Sequence, residues 1–208
     1  MSLWARIPRT CLVSVAGLLL VSCGGGADEP AAEGGSKVES TSATATTSST
    51  APTMTASPEE WALAPFKGDG FTVLMPGKPT REQQSVDSSA GKLTIVVYGS
   101  DTEDQAYLVS YYEKPKGAQT SLSGAVQGAA NAVGGKVTDE ASARHRGFRA
   151  RDARITSGRG ADGLVVTVFT RVIDADNRVY QLQYIQAGSD VKSPPANYAT
   201  FLNSLRTT

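Results

Sequence analysis

Hydrophobic side chains recur at regular spacings only from Trp61 onward, and most of these runs alternate between apolar and polar positions. Such short alternating runs, bounded by turn-forming residues, predict β-strands. The predicted strands cover residues 71–75, 80–86, 93–98, 106–112, 136–144, 148–155, 164–173 and 178–185. The run at 93–98 is apolar on both faces, which favours a central position in a sheet. The polar run at 80–86 predicts an edge strand.

Two segments have the three-and-four spacing of an amphipathic helix instead. Within residues 122–133 the apolar side chains form one continuous stripe along a helix, and Ser121 or Thr120 can cap the start of that helix. A closing helix is predicted after Ser193, with Pro194 at its first position. The residues that this helix is expected to bury are Tyr198, Phe201, Leu202 and Leu205.

The order of these elements along the chain is strands, helix, strands, helix. Runs of strands joined by short turns imply an antiparallel sheet, and the helices are expected to pack on that sheet. The segment 61–208 is long enough for one hydrophobic core, and neither a repeat nor a second linker interrupts its sequence. The sequence therefore predicts a single α+β domain over residues 61–208.

Residues 1–22 follow the plan of an export signal, with a basic start, an apolar middle and a small-residue end. Arg6 and Arg9 supply the positive charge, and residues 11–21 are apolar apart from Ser14. This apolar stretch would span roughly 17 Å as a helix, well short of the ~30 Å hydrocarbon core of a bilayer. We therefore expect a cleaved signal rather than a permanent transmembrane helix.

The signal ends in Leu20-Val21-Ser22-Cys23, which resembles the lipobox of bacterial lipoproteins. The resemblance implies that diacylglycerol is attached to Cys23, that cleavage occurs before this residue and that the new amino terminus is acylated. Two or three acyl chains hold a protein firmly, whereas one chain holds it weakly. The chain is therefore expected to be lipid-anchored on the cell membrane, facing the periplasm or the cell exterior. The alternative is an ordinary secretory signal in which Cys23 is incidental.

Residues 24–60 show no hydrophobic period, and 12 of the 18 positions from 40 to 57 are Ser or Thr. Such a composition cannot bury enough apolar area to offset chain entropy. Residues 23–60 are therefore predicted to form a disordered tether that begins at the lipidated cysteine. As a flexible coil the tether would span about 30–37 Å. An O-glycosylated stalk is the alternative that this composition permits.

Charge and rare residue types exclude several classes of function. The chain has 20 Lys and Arg against 20 Asp and Glu, and this balance argues against a nucleic-acid partner, which favours a strongly basic domain. One histidine and two cysteines are too few for zinc-finger, haem or iron–sulfur sites, so no metal or other cofactor is predicted. Cys11 lies inside the signal, so no disulfide is expected within the mature chain.

Three motifs frame the predicted domain. They are Phe71-x-Val73-x-Met75-Pro76-Gly77-x-Pro79, Tyr180-x-Leu182-x-Tyr184 and Phe201-Leu202-x-Ser204-Leu205. Together they resemble a widespread group of poorly characterised bacterial lipoprotein domains with a PsbP/Mog1-like fold, over most of residues 66–206. The resemblance implies an antiparallel sheet between helices. It also implies an accessory, assembly or interaction role, with no catalytic residues to carry over.

Half of the chain's 12 arginines lie within 16 positions, where the only acid is Asp152. They are Arg144, Arg146, Arg149, Arg151, Arg154 and Arg159, and we call the first five the arginine strip. In an extended chain Arg149 and Arg151 share a face, because side chains repeat every two residues. The planar guanidinium suits phosphate and carboxylate groups, so the strip is a candidate anion-binding site for lipid headgroups, an acidic polymer or an acidic envelope protein. The alternative is a solvated edge strand that charge protects from aggregation.

No combination of residues predicts an enzyme. His145 is the only histidine, no G-x-S-x-G elbow accompanies it, and a lone histidine among arginines is typical of a solvated loop. The acids within 101–104 and 174–177 lack the spacing of an EF-hand and are interpreted as polar turn tips. The sequence thus favours a membrane-anchored, non-enzymatic interaction or accessory module of the cell envelope. The alternative function is a carrier that holds a small hydrophobic or lipidic ligand between the sheet and a helix.

Overall fold

The computed structural model describes residues 61–88, 91–102, 104–115, 118–157, 164–189 and 191–208. Its strands are β1 (Leu63–Gly68), β2 (Phe71–Pro76), β3 (Thr80–Ser88), β4 (Gly91–Asp101), β5 (Gln105–Glu113), β6 (Gly135–His145), β7 (Phe148–Ser157), β8 (Val166–Asp174), β9 (Arg178–Ala187) and β10 (Arg206–Thr207). Its helices are α1 (Leu122–Ala132) and α2 (Asn197–Ser204). The predicted signal, Cys23 and the predicted tether lie outside the described residues.

The described strands form two antiparallel sheets. The large sheet has seven strands in the order β3-β4-β5-β9-β8-β7-β6, and the small sheet has three in the order β1-β2-β10. The edge position predicted for residues 80–86 is confirmed, because they lie in β3. The apolar run at 93–98 lies in β4, next to that edge. It is buried on both faces, since Ile95 packs into the core on one side of the sheet and Val96 into the core on the other.

The prediction of an α+β domain with helices packed on one sheet is wrong, because the fold is a β-rich sandwich of two sheets. β1 and β2 do not extend the large sheet; they pair with each other and with β10, and this small sheet packs face to face on the large one. The sequence hides the second layer because β1 exposes Ala64, Pro65 and Lys67 and so shows no apolar alternation. β10 has only two residues, too few for any pattern.

Aromatic rings fill the space between the two sheets. Phe71 of β2 lies at the centre of this layer. Its ring packs edge-to-face on those of Tyr98, Tyr111 and Tyr180, with centroids 5.6, 6.1 and 5.8 Å away. Such pairs contribute about 0.5–1.5 kcal/mol each beyond the area they bury. α2 lies on the same side and adds the fully buried Phe201 to this core.

Helix α1 covers the opposite face of the large sheet with small side chains. Its buried residues include Ala125, Val126, Gly128, Ala129 and Ala130. Because these side chains are short, the helix can lie close to the sheet. The predicted cap is confirmed at Ser121, whose Oγ accepts a hydrogen bond from the Gly124 amide at 3.1 Å.

The start predicted for the closing helix is wrong by three residues, since α2 begins at Asn197 rather than at Pro194. Pro194 is itself followed by Pro195, and a residue that precedes proline is driven away from helical dihedrals. The helix therefore begins only after both prolines. Its predicted apolar stripe is nevertheless buried.

Candidate functional site

β6 and β7 carry the arginine strip, and a two-residue turn joins them. Arg146 and Gly147 both have positive φ, at +49° and +90°. Positive φ at both central residues is the property of a type I′ turn, whose twist matches that of the flanking strands. The strip therefore belongs to a hairpin rather than to one strand, with Arg144 on β6 and three other arginines on β7.

An extra residue in β6 decides which way its side chains point. The pairing with β7 shifts by one residue between Val137 and Asp139, so Thr138 is an inserted, bulged residue. Val137 faces α1. Strict alternation from Val137 would turn Arg144 to the opposite face of the sheet. The bulge reverses the alternation, and Arg144 instead lies on the α1 face, directly opposite Arg149.

Three arginines of the strip share one open groove on the α1 face. Arg144 and Arg149 are cross-strand partners, and Arg151 follows two residues later on the same face of β7. The groove has a volume of about 480 Å³ and lies beside the first residue of α1. It is lined by Leu122, Ser142, Ala143, Arg144, Arg149, Ala150 and Arg151. We call it the arginine groove.

Asp174 of β8 compensates part of this charge. Its Oδ1 lies 2.8 Å from Lys114 Nζ, and its Oδ2 accepts a hydrogen bond from Arg149 Nη2. Burial would raise the pKa of Asp174, but the hydrogen bonds from Lys114 and Arg149 outweigh burial and hold this pKa below its ordinary value of 3.8. Asp174 is therefore ionised at neutral pH. Arg149 remains accessible, since 63% of its side chain is exposed.

Arg151 and Arg144 differ in their partners. Arg151 donates from Nη1 to Glu140 Oε1 at 2.8 Å and from Nη2 to Ser142 Oγ at 3.4 Å. Arg144 donates to the carbonyl oxygen of Gly147 at 3.2 Å, and within the described part of the chain no carboxylate pairs with it. The charge of Arg144 is therefore the least compensated in the arginine groove.

Arg146 does not reach the groove but contacts the end of α2. Its Nε donates to the carbonyl oxygen of Leu205 at 3.0 Å, and its Nη2 donates to that of Asn203 at 3.3 Å. A helix leaves its last carbonyl groups without partners inside the helix. Arg146 satisfies two carbonyls at this end, which is a structural role.

Arg154 points to the face of the sheet opposite the arginine groove. It borders a separate cavity of about 290 Å³, which is also lined by Asp139 and Asp152. The carboxylate of Asp152 forms a two-fold salt bridge with Arg171, with distances of 2.6 and 2.7 Å. The carboxylates of Asp139 and Asp152 therefore compensate the positive charge of Arg154 in this cavity. The sixth arginine of the cluster, Arg159, lies outside the described residues.

His145 is buried, so the expectation of a solvated loop residue is wrong. It is 6% exposed, and its Nε2 lies 3.0 Å from the carbonyl oxygen of Leu205. Burial lowers the pKa of His145 below 6.5, the hydrogen bond to Leu205 opposes this effect, and the charges of Arg171 and Arg146 reinforce it. The ring is therefore neutral at pH 7 and donates a hydrogen bond from Nε2. It ties the end of β6 to the segment after α2.

The acidic turns have structural contacts. Asp174 carries the two ion pairs described above, and Asp104 Oδ1 accepts a hydrogen bond from the hydroxyl of Thr102 at 3.2 Å. Within the described ranges, no group of three or more His, Cys, Asp or Glu side chains could hold a metal ion. Cys23, the predicted lipid attachment site, lies outside those ranges and stays a prediction.

The structure reveals a second charged cluster that sequence analysis missed. Arg178 of β9 donates to the carbonyl oxygen of Asp69 and to Glu113 at 3.0 Å. Its guanidinium also lies 4.5 Å from the centre of the Tyr111 ring. The carboxylate of Asp69 binds Arg81 Nε at 3.3 Å. These residues are far apart in the sequence, so their spacing carries no signal, and their contacts join the small sheet to the large one.

Comparison with known proteins leaves the family open. No protein-family model matches the sequence, and the search of curated proteins found no match. A similar solved structure is that of PA94 from Pseudomonas aeruginosa, a protein of unknown function. The two chains are 12% identical, and the match covers 62% of this chain and 86% of that chain with a TM-score of 0.33.

The two helices are short, since α1 has 11 residues and α2 has 8. None in the described part of the chain is long and apolar enough to cross a membrane.

Proposed function

We propose that this protein is a lipid-anchored, non-enzymatic interaction module of the cell envelope that binds an anionic partner in the arginine groove. The observation that carries the proposal is that Arg144, Arg149 and Arg151, from two strands, converge in one open groove. The sequence supports attachment to the membrane through Cys23, and a tether of residues 23–60 would give the domain reach above the bilayer.

The position of β7 favours a binding site over a protected sheet edge. Charged side chains on an edge strand hinder edge-to-edge aggregation, and β6 is such an edge. β7, however, lies between β6 and β8 in the large sheet. Arg149 and Arg151 therefore protect no edge. Asp174 and Glu140 pair with these two arginines, but among the described residues no carboxylate pairs with Arg144, so the groove keeps an uncompensated positive charge that an anion can bind.

The packing under α1 favours this role over that of a lipid carrier. Carriers need room for the ligand between their structural layers. In the described domain, Val126 and Ala130 of α1 are fully buried and pack in one cluster with Ile155 and Val168 of the sheet. An apolar ligand would have to displace these side chains.

The anchor is tested by labelling cells with radioactive palmitate. The natural chain is expected to incorporate label and to partition into membranes, and Cys23→Ser is expected to lose both properties. Cys11→Ser is the matched control, because Cys11 lies inside the predicted signal. If Cys23→Ser retains its label and its membrane partitioning, the anchor is elsewhere or absent and this part of the proposal is wrong.

The partner is tested by crosslinking in intact cells. We expect the natural chain to enrich an acidic envelope component that is lost from the double variant Arg144→Gln/Arg149→Gln. Arg206→Gln is the control, since Arg206 is an exposed arginine of the small sheet. Identical crosslinks from all three chains would refute the groove as the binding site. Adducts with lipid tails in place of acidic components would favour a carrier.

A further inference from the structure

We propose that the arginine groove is a phosphate site, in which one phosphate group bridges Arg144 and Arg149. This inference rests on the function proposed above and narrows the anionic partner to one chemical class. Membrane lipid headgroups and soluble phosphates share that chemistry. The inference follows from the pairing of the arginines, the charge around the groove and the hydrogen-bond donors that line it.

Arg144 and Arg149 form a like-charge pair at directly opposed positions. They are partners in the register of β6 and β7, which places their Cβ atoms about 4.5–5.5 Å apart. Like charges in this position destabilise a hairpin. Asp174 contacts Arg149, but it does not bridge the pair, because its second oxygen binds Lys114. An anion that accepts hydrogen bonds from both guanidinium groups would relieve the repulsion.

The charge around the groove matches a doubly charged anion. Four cations surround two carboxylates, which leaves an excess of two positive charges. The cations are Lys114, Arg144, Arg149 and Arg151, and the carboxylates are Glu140 and Asp174. The first turn of α1, beside the groove, carries no acidic residue. A phosphate monoester carries about −1.5 to −2 charges at pH 7, whereas a single carboxylate carries one.

The donors of the groove also suit a phosphate group. Arginine presents a planar fork that binds phosphate oxygens in pairs, and two such forks can share a group with three exposed oxygens. Ser142 lies directly opposite Arg151, and its Oγ accepts the hydrogen bond from that arginine. The hydroxyl hydrogen of Ser142 can therefore still donate to a third oxygen.

Two other cavities of the described domain lack this excess of positive charge. The cavity at Arg154 includes the carboxylates of Asp139 and Asp152 as well as Lys192. A larger groove of about 570 Å³ between β2 and α2 has Arg206 as its single charged residue. Of these three cavities, the arginine groove is the one lined by more than one cation and by no carboxylate.

Inorganic phosphate is the first probe. Thermal unfolding of the full chain, purified in a non-ionic detergent, is followed as phosphate replaces chloride at constant ionic strength. A ligand that binds only the folded state raises Tm, so we expect a saturable increase. Arg144→Gln is expected to weaken the apparent affinity for phosphate about tenfold or more, because a charge-assisted contact is lost. Arg144→Lys keeps the charge but loses the planar fork, so its affinity for phosphate should lie between those of Arg144→Gln and the natural chain. Arg206→Gln should have the same affinity as the natural chain.

Vesicles distinguish a lipid headgroup from a soluble phosphate. The Cys23→Ser chain is mixed with phosphatidylcholine vesicles that either contain or lack phosphatidic acid, a lipid whose phosphate is a monoester, so that the groove rather than the anchor determines binding. Binding to the anionic vesicles alone, lost with Arg144→Gln, assigns the site to a lipid headgroup. A phosphate-dependent rise in Tm without vesicle binding assigns it to a soluble phosphate.

The inference is overturned if phosphate raises Tm no more than chloride does and neither vesicle binds. It is also overturned if Arg144→Gln and the natural chain respond equally. In either case, groove-dependent crosslinks to an acidic protein in cells would leave the proposed function standing and remove only the phosphate assignment. Loss of those crosslinks as well would remove both.

Discussion

The ring Nε2 of His145 donates to the carbonyl oxygen of Leu205 at 3.0 Å, across 60 positions of sequence. The same carbonyl accepts a second hydrogen bond from Arg146 Nε. Two consecutive residues at the β6–β7 turn thus hold the chain where it leaves α2 and enters β10. The contact joins the hairpin of the arginine groove to the layer that contains the small sheet.

Folding stability should depend on the protonation of His145. The pKa of His145 is lowered in the folded state, mainly by burial, so the unfolded chain takes up a proton at higher pH than the folded chain does. The neutral ring therefore contributes its full share to the free energy of unfolding above the ordinary pKa of 6.5, and this contribution declines as pH falls below 6.5. We expect the free energy of unfolding in urea to be lower at pH 5.5 than at pH 7.5.

His145→Gln is the matched variant for this measurement, because its amide can still donate to Leu205 but does not titrate. The loss of stability between pH 7.5 and 5.5 should be smaller in His145→Gln than in the natural chain. Equal losses in the two chains would show that other groups cause the pH dependence.

Asp174→Asn should reduce stability and strengthen anion binding together. The substitution removes the charge that pairs with Lys114 and Arg149, and we expect a loss of about 2 kcal/mol at pH 7. The lowered pKa of Asp174 means that its contribution is complete above pH 3.8 and is lost as pH falls through the folded-state value. Urea unfolding from pH 7 to pH 3 should therefore show the difference between the two chains shrinking.

Asp176→Asn is the control for Asp174→Asn, since Asp176 is an exposed residue of the turn that follows β8. Its stability should change by less than about 0.5 kcal/mol. A weaker phosphate response in Asp174→Asn than in the natural chain would contradict the electrostatic account of the groove.

Gly70→Ala should destabilise the protein more than Gly134→Ala does. Both glycines have positive φ, at +78° and +57°, where alanine costs about 1–2 kcal/mol. A Cβ at Gly70 would lie 2.6 Å from Arg178 Nη1, whereas a Cβ at Gly134 would meet no atom within 4 Å. Because Arg178 is held by Glu113 and Tyr111, moving it breaks further contacts.

A double-mutant cycle tests this explanation. In a chain that carries Arg178→Met, the excess cost of Gly70→Ala over Gly134→Ala should largely disappear. Chemical denaturation gives all the required free energies. An excess that persists without Arg178 would show that another neighbour of Gly70 is responsible.

Ser204→Ala should weaken the edge of the small sheet. β10 pairs with Phe71 and Thr72, and farther along β2 the amide of Leu74 donates to Ser204 Oγ at 2.8 Å instead of to a strand. Removal of this acceptor should cost about 1 kcal/mol in the free energy of unfolding. Thr200→Ala, at an exposed position of the same helix, should cost less. Equal costs would mean that the side-chain hydrogen bond adds nothing.

The features that were predictable from sequence are those set by contacts close along the chain. The stripe over residues 122–133 and the cap at Ser121 identified α1, because both signals lie within the helix itself. Apolar alternation located most strands of the large sheet. The fold class and the division into two packed sheets were not predictable. β1 shows no apolar alternation, and it pairs with β2 in a second sheet.

The arginine groove was predictable only in part. The spacing of Arg149 and Arg151 places them on one face, but nothing in the sequence marks Thr138 as a bulge that turns Arg144 to the same face. The partner Asp174 comes from β8, so only the pairing of strands brings it to Arg149. The burial of His145 was missed for the same reason, since its partner Leu205 lies far along the chain.

The inserted residue Thr138 makes the number of amino acids between Val137 and the turn as important as their identity. Deletion of Thr138 would turn each side chain from Asp139 to His145 to the other face of the sheet. The guanidinium of Arg144 would then enter the aromatic layer between the sheets, and the imidazole of His145 would leave it. Homologues that keep this groove should therefore tolerate exchanges along the segment while holding its length constant, and a shortened homologue should not share its ligand.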